Sequence, residues 1–147
     1  LSADMPDVRF KFAGKRMPPG FFNFKSDKVE ISDKVDSIED YFSDGKLMIV
    51  PLFSGSGMRV KIVEGMAFGK AIITTSIGLE GIPAIDQKEV LIANTPDEFI
   101  AKIKWALNYP DALKTIGENA RNLVETKFNN RKIGAELLSF YEKLPKE

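Results

Sequence analysis

An apolar run, Leu47 to Leu52 (LMIVPL), gives way to Gly55-Ser56-Gly57, and Arg59 and Lys61 follow at once in a segment with helical periodicity. Those residue types in that order can hold an anion. Glycines let the backbone approach a ligand closely, and the free N–H groups of a first helical turn, aided by the helix dipole, favour phosphate. Arginine's fork can grip two phosphate oxygens, whereas lysine offers a point charge. In an open α/β sheet, ligands gather at the carboxyl ends of the strands, where this loop lies. On spacing alone a tight turn accounts for the loop equally well, because a strand, a Gly-Ser-Gly loop and a helix recur in many α/β proteins.

The helix after the loop is expected over Met58 to Phe68, ended by Gly69. At about 100° per residue, Met58, Ile62, Val63, Met66 and Ala67 share an apolar arc, while Lys61, Glu64, Gly65 and Phe68 fall on the other side. Glu64 is therefore free of the core. A carboxylate there can accept hydrogen bonds from two adjacent sugar hydroxyls, as an acidic residue holds the ribose of a dinucleotide. On spacing alone an exposed Lys61–Glu64 ion pair, worth about 0.2–0.5 kcal/mol, is the simpler account.

Short apolar runs rich in β-branched and aromatic residues, separated by helical patterns, position this loop; they indicate an α/β fold with a mostly parallel sheet. Strands are expected at Val8 to Ala13, Lys28 to Ser32, Leu47 to Leu52, Ala71 to Thr75 and Val90 to Ala93. Paired prolines and a glycine make residues 15–27 a long, weakly ordered loop. Asp36-Ser37-Ile38-Glu39 has the cap-x-x-Glu pattern of a helix start, and that helix is expected to reach Ser43. Thr95-Pro96-Asp97-Glu98 combines a capping box with proline at the first helical position, ahead of an apolar stripe at Phe99, Ile100, Ile103 and Leu107. A second C-terminal helix carries Leu113, Ile116, Ala120, Leu123 and Val124, and a third, from about Lys132 to Lys143, carries Ile133, Leu137, Leu138 and Tyr141. The C-terminal third is thus helical, and no internal repeat or low-complexity tract interrupts the chain.

Composition narrows the chemistry. With 147 residues, 44% of them hydrophobic, one core of ordinary size is expected, hence one domain. Twenty-one basic residues balance 21 acidic ones, so no overall field draws the surface to nucleic acid or anionic lipid, and phosphate binding must come from a local site. The absence of cysteine and histidine excludes disulfides, thiolate metal sites and the usual proton shuttle, and with them zinc chemistry and protease-like triads. No apolar run approaches the roughly 18 residues of a membrane span, and Leu1 to Asp7 lacks a signal peptide's pattern, so the chain reads as cytosolic. It opens without methionine in a segment that reads as the tail of something longer, and a fragment is expected.

The stretch VPLFSGSGMRVKIVEGMAFGKAIITTSIGLEGI, Val50 to Ile82, resembles the signature of the C-terminal domain of glycosyltransferase family four and its relatives, the glycosyl transferases group 1. Such proteins show a strand ending in Val-Pro, a glycine-rich loop, Lys-x-x-Glu on the helix, a small-x-Gly-Lys turn, a strand, and Glu-Gly-Ile. Weaker likeness spans Asp7-Val8 to Gly14, the Val35-Asp36 helix start, Glu98-Phe99 and Asn119-Ala120-Arg121. The resemblance implies a Rossmann-like half of a GT-B fold that binds the nucleotide sugar. It also implies a larger, retaining, metal-independent enzyme without cofactor, whose acceptor domain is missing here.

In that family two glutamates separated by seven residues contact the donor, the second holding the ribose and the first the transferred sugar. Glu64 matches the second; counting back eight positions reaches Ser56, a departure from the pattern. By the same likeness Gly55, Ser56, Gly57, Arg59, Lys61 and Glu64 bind the donor's nucleotide and diphosphate, and Lys34 and Val35 meet the base through backbone groups. Lys15 and Arg16 end the first strand near the site, although a solvated pair of charges is the simpler account. For Glu80 in LEGI, a role in ordering the loop stands beside ligand contact. No residue presents itself as a general base, and the isolated chain is expected to be inactive.

The family domain begins with a further strand, a basic phosphate-binding turn and a helix ahead of the position of Pro6; with these absent, the sheet is expected to leave a gap beside the first strand, to rearrange, or to pair with a second copy. The likeness also suggests a peripheral place for the whole protein at the inner face of the membrane, and a glycoconjugate or polysaccharide acceptor. Three other readings compete: a non-catalytic nucleotide-binding module, which Ser56 favours; another GT-B enzyme such as an epimerase or a phosphorylase, although an epimerase's catalytic histidines are lacking; and a receiver-like switch domain, which lacks its acidic cluster.

Overall fold

The computed structural model describes residues 8–33, 35 and 37–144, with Asp40 described by its backbone. Lys34 and Asp36, on which a base contact and a helix cap were expected, lie outside the described residues. The chain divides between Lys46 and Leu47 into two compact units.

In the first unit, β1 (Phe10–Ala13) and β2 (Val29–Ser32) pair in parallel, with Phe10 opposite Val29 and Ala13 opposite Ser32. The connection between them is more ordered than its prolines suggest. Pro19–Phe24 forms a 3-10 helix with proline in its first turn, where the missing N–H costs nothing. Its Phe21 ring packs edge-on against Phe12 and Phe24, at centroid distances of 5.4 and 5.8 Å. Helix α1 (Ile38–Asp44) is tied to β1: the Tyr41 hydroxyl donates to the Lys11 carbonyl at 2.9 Å, and the Lys11 ammonium pairs with Asp44 and, at 3.8 Å, with Glu30.

The second unit holds a three-stranded parallel sheet in the order β3 (Leu47–Val50), β4 (Ala71–Thr74), β5 (Leu91–Ile92). Leu47 sits opposite Ala71, and Ile73 opposite Leu91. Central β4 is buried along its whole length, as expected of a strand covered on both faces. Helix α2 (Val60–Ala67) makes the crossover from β3 to β4. Its fully buried Ile62 and Met66 join Ile72, Val90 and Ala120 in the core, each large side chain contributing about 1.5–3 kcal/mol.

Helix α3 (Pro96–Asn108) begins at Thr95, whose hydroxyl accepts from the Glu98 N–H at 3.3 Å. The return bond of the expected capping box is shifted by one residue: the Glu98 carboxylate receives the N–H of Asn94, not that of Thr95. Helix α4 (Pro110–Lys127) buries Ile116, Gly117 and Ala120 and packs on α2 and β4, and α5 (Asn130–Glu142) is capped by the Asn129 side chain.

Several sequence expectations are corrected by packing. Helix α2 begins two residues later than the pattern suggests, leaving Met58 in the loop, 46% exposed, and Arg59 as the N-cap. Gly65, expected on the polar side, is buried, because the core-facing row of α2 is Ile62, Gly65 and Met66. Leu107 is half exposed at the end of a stripe whose Phe99 and Ile103 are buried, whereas Ile133, Leu137, Leu138 and Tyr141 all lie exposed on α5, so the α5 stripe meets no core among the described residues.

Candidate functional site

Two threonines at the end of β4 hold the start of the glycine loop. The Thr74 hydroxyl donates to the Val50 carbonyl at 2.9 Å, and the Thr75 hydroxyl donates to that of Leu52. Thr75 also receives the Gly78 N–H at 3.0 Å. Both threonines are buried, so these bonds form out of water and fix Val50 to Leu52 against the next strand. The apolar pattern marks Ala71 to Thr75 only as a strand; the signal for the role of the threonines is a pair of hydroxyls at a strand end followed by a Ser-Ile-Gly turn.

Beyond Leu52 the loop folds back on itself. Gly55 has φ +123°, a conformation that favours glycine, and a Cβ there would lie 2.3 Å from Nη2 of Arg59, so a side chain would be strained and would also displace the guanidinium. Nη1 of Arg59 donates to the Ser56 carbonyl at 2.7 Å, while its Nε is buried without an acceptor among the described residues. Arg59 thus braces the loop with part of its fork, whatever else its charge does. The Gly57 N–H donates to Oε2 of Glu80 at 2.8 Å.

Past Gly57 the backbone presents donors. Among the described residues the N–H groups of Met58, Arg59, Val60 and Lys61 meet no acceptor, as the orphan positions at and before a helix start allow. The first internal bond of this turn runs from the Ile62 N–H to the Arg59 carbonyl at 2.9 Å. Lys61 and Glu64 stand exposed on the first two turns of α2, and among the described residues they form no ion pair with each other or with any neighbour. The exposed ion pair that spacing alone suggests is therefore not formed among the described residues. An unbonded row of N–H groups, two cations and a free carboxylate can accept a polyanion with a hydroxyl-bearing group at its end.

The structure brings Gly55, Ser56, Gly57, Arg59, Lys61, Glu64 and Glu80 together in the second unit; Lys15 and Val35 belong to the first. Lys15 is exposed, in the turn after β1 where Arg16 has φ +61°, and Val35 is half-buried. Among the described residues, no group of three or more acidic side chains is arranged to hold a metal ion, and no helix is long and apolar enough to cross a membrane.

Comparison with known proteins agrees with this architecture. The family described as Glycosyl transferases group 1 matches residues 1–109. An uncharacterised glycosyltransferase of Methanocaldococcus jannaschii is 32% identical over 111 residues, covering 74% of this chain and 31% of its own length. HepE of Anabaena, solved in complex with UDP, superposes with a TM-score of 0.80 at 16% identity, covering 95% of this chain and 42% of that one. The C-terminal domain of a group 1 glycosyl transferase (LpcC) from Francisella tularensis superposes with a TM-score of 0.64 at 13% identity, covering 86% and 91%. The chain spans about a third of the length of that curated relative and about two fifths of HepE. Its parallel sheets flanked by helices match the C-terminal domains of GT-B glycosyltransferases. With the signature loop, the family match and the shared fold in agreement, the chain belongs to the glycosyl transferases group 1.

Proposed function

We propose that this chain is the donor-binding domain of a retaining, hexosyl-type glycosyltransferase, which moves a sugar from a nucleoside-diphosphate sugar to a glycan or lipid-linked acceptor held by a separate domain. The observation that carries the reading is the unbonded row of N–H groups from Met58 to Lys61, flanked by exposed Lys61 and Glu64. The diphosphate lies along this row with Lys61 and Arg59 beside it, and Glu64 accepts the ribose hydroxyls. As the glycosidic bond breaks, charge grows on the departing nucleoside diphosphate, and a helix start with unbonded N–H groups, the braced Arg59 and the nearby Lys61 stabilises that charge. These groups do the work for which other transferases recruit a metal ion, so no cofactor is needed. The chain itself supplies no general base, and by itself it transfers no sugar. The whole enzyme works on the cytosolic side, at the inner face of a membrane.

Calorimetric titration with UDP, GDP and ADP tests this. One diphosphate should bind, and Glu64→Ala and Arg59→Ala should each weaken it about tenfold or more, the scale of one lost charge-assisted hydrogen bond. Binding of one diphosphate at equal strength in all three proteins would refute the assignment. Ser56, where the family pattern has a glutamate, favours a second reading: a module that binds nucleotide without turnover. Tight nucleotide binding by a full-length protein that neither transfers nor hydrolyses any donor would establish it.

A further inference from the structure

We propose that Glu80 is a donor-sugar contact, which delivers from the turn after β4 the carboxylate that the glycine loop lacks at Ser56. The inference rests on the donor-domain reading above.

Glu80 is exposed, but its neighbours hold it in place: Leu79 and Ile82 are buried on either side. The turn is closed by bonds from the Leu79 N–H to the Thr75 carbonyl at 3.2 Å and from the Ile82 N–H to the Leu79 carbonyl at 2.8 Å. Next to it, Gly81 has φ +77°, and a side chain there would come within 3.3 Å of Cβ of Met58, so the turn lies directly against the loop. The direction in which Glu80 leaves the backbone is therefore set by the fold.

Oε2 of Glu80 accepts the Gly57 N–H, whereas Oε1 has no partner among the described residues. One carboxylate oxygen is anchored beside Ser56 and the other remains able to accept a hydrogen bond. The order along the site is then carboxylate, N–H row with cations, carboxylate: Glu80, Met58 to Lys61, Glu64. A nucleoside-diphosphate sugar has the complementary order of sugar hydroxyls, diphosphate, ribose hydroxyls. Beside a bare diphosphate the Glu80 charge is unfavourable, and only hydroxyl donors from a sugar offset it. Glu80 should therefore separate the sugar conjugate from the free diphosphate, which a loop brace cannot do.

The test is calorimetric titration of the chain, Glu80→Gln and Glu80→Ala with two matched pairs, UDP against UDP-glucose and GDP against GDP-mannose. Urea midpoints establish that each variant is folded, and Glu80→Gln retains an amide oxygen for the Gly57 N–H. For the pair that binds, Glu80→Ala should lose about tenfold or more in affinity for the conjugate, and Glu80→Gln less. Affinity for the free diphosphate should stay level or rise. Parallel losses for diphosphate and conjugate would make Glu80 a loop brace only and overturn the proposal, as would unchanged affinity for both. Failure of the unsubstituted chain to bind any of the four would refute the donor-domain reading, and this one with it.

Discussion

Substituting Gly117 by alanine is expected to destabilise the second unit by about 1–3 kcal/mol, whereas the same change at Gly134 should be neutral or stabilise by up to about 1 kcal/mol. Both glycines lie inside helices, where alanine gains about 0.8–1.0 kcal/mol in propensity. They differ in what a Cβ meets. At Gly117 it would lie 2.2 Å from the carbonyl oxygen of Gly69 and 3.2 Å from the nitrogen of Ala71, both backbone atoms that no rotamer change can move. Helix α4 would have to withdraw by roughly 1 Å to reach ordinary contact distance, opening gaps around Ala120 and against Ile62 and Met66 on α2. Overpacking of this kind costs about 1–3 kcal/mol, occasionally more, and here it must exceed the propensity gain. At Gly134 no atom lies within 4 Å, so only the gain remains. Urea unfolding followed by the fluorescence of Trp105, the single tryptophan, reads both variants. A Gly117→Ala midpoint equal to or above that of the unsubstituted chain would refute the packing argument.

Thr75→Val should cost about 1–3 kcal/mol, because it leaves the Gly78 N–H without its acceptor and the Leu52 carbonyl without its donor near the core, and the same urea assay measures it. The loss should be accompanied by weaker nucleotide binding, since the start of the glycine loop hangs on that hydroxyl. A pH test addresses the first unit. The hydrogen bond from Lys11, together with its charge, holds the Asp44 carboxyl below its usual range, and the same bond raises Lys11 above the ordinary lysine value. The depressed carboxyl contributes stability above its unfolded pKa and loses it as pH falls through the folded one; the raised lysine contributes below its unfolded pKa and loses it as pH rises through the folded one. The midpoint difference between the chain and Asp44→Asn should therefore be present near neutrality, vanish in acid and shrink with salt, because the pair is exposed. An equal difference in acid would refute the ion-pair account.

Much of the site was legible because it is local. The Gly-Ser-Gly loop, the cations just after it and the exposure of Glu64 follow from residue types and helical spacing over Gly55 to Glu64. The cap at Thr95 is likewise a contact across three residues. The α/β class could be read because buried parallel strands such as β4 are continuous apolar runs. Where the pattern misled, the cause was a missing neighbour or an unseen one. Gly65 is buried because α2 turns that face to the core, and the stripe of α5 is exposed because no described element covers it.

The amino-acid order by itself determined the succession of strands and α-helices, the glycines and cations gathered at one helix start and the exclusion of thiol and imidazole chemistry. Only the tertiary structure decided that Arg59 turns back onto Ser56, that the sheet divides into a two-stranded and a three-stranded part, and that Glu80, 23 residues along the chain from Gly57, takes its N–H. Periodicity reports which side of an element is apolar. It carries no information on which distant turn the burial of Leu79 and Ile82 will press against the glycine loop, and that packing places the second carboxylate.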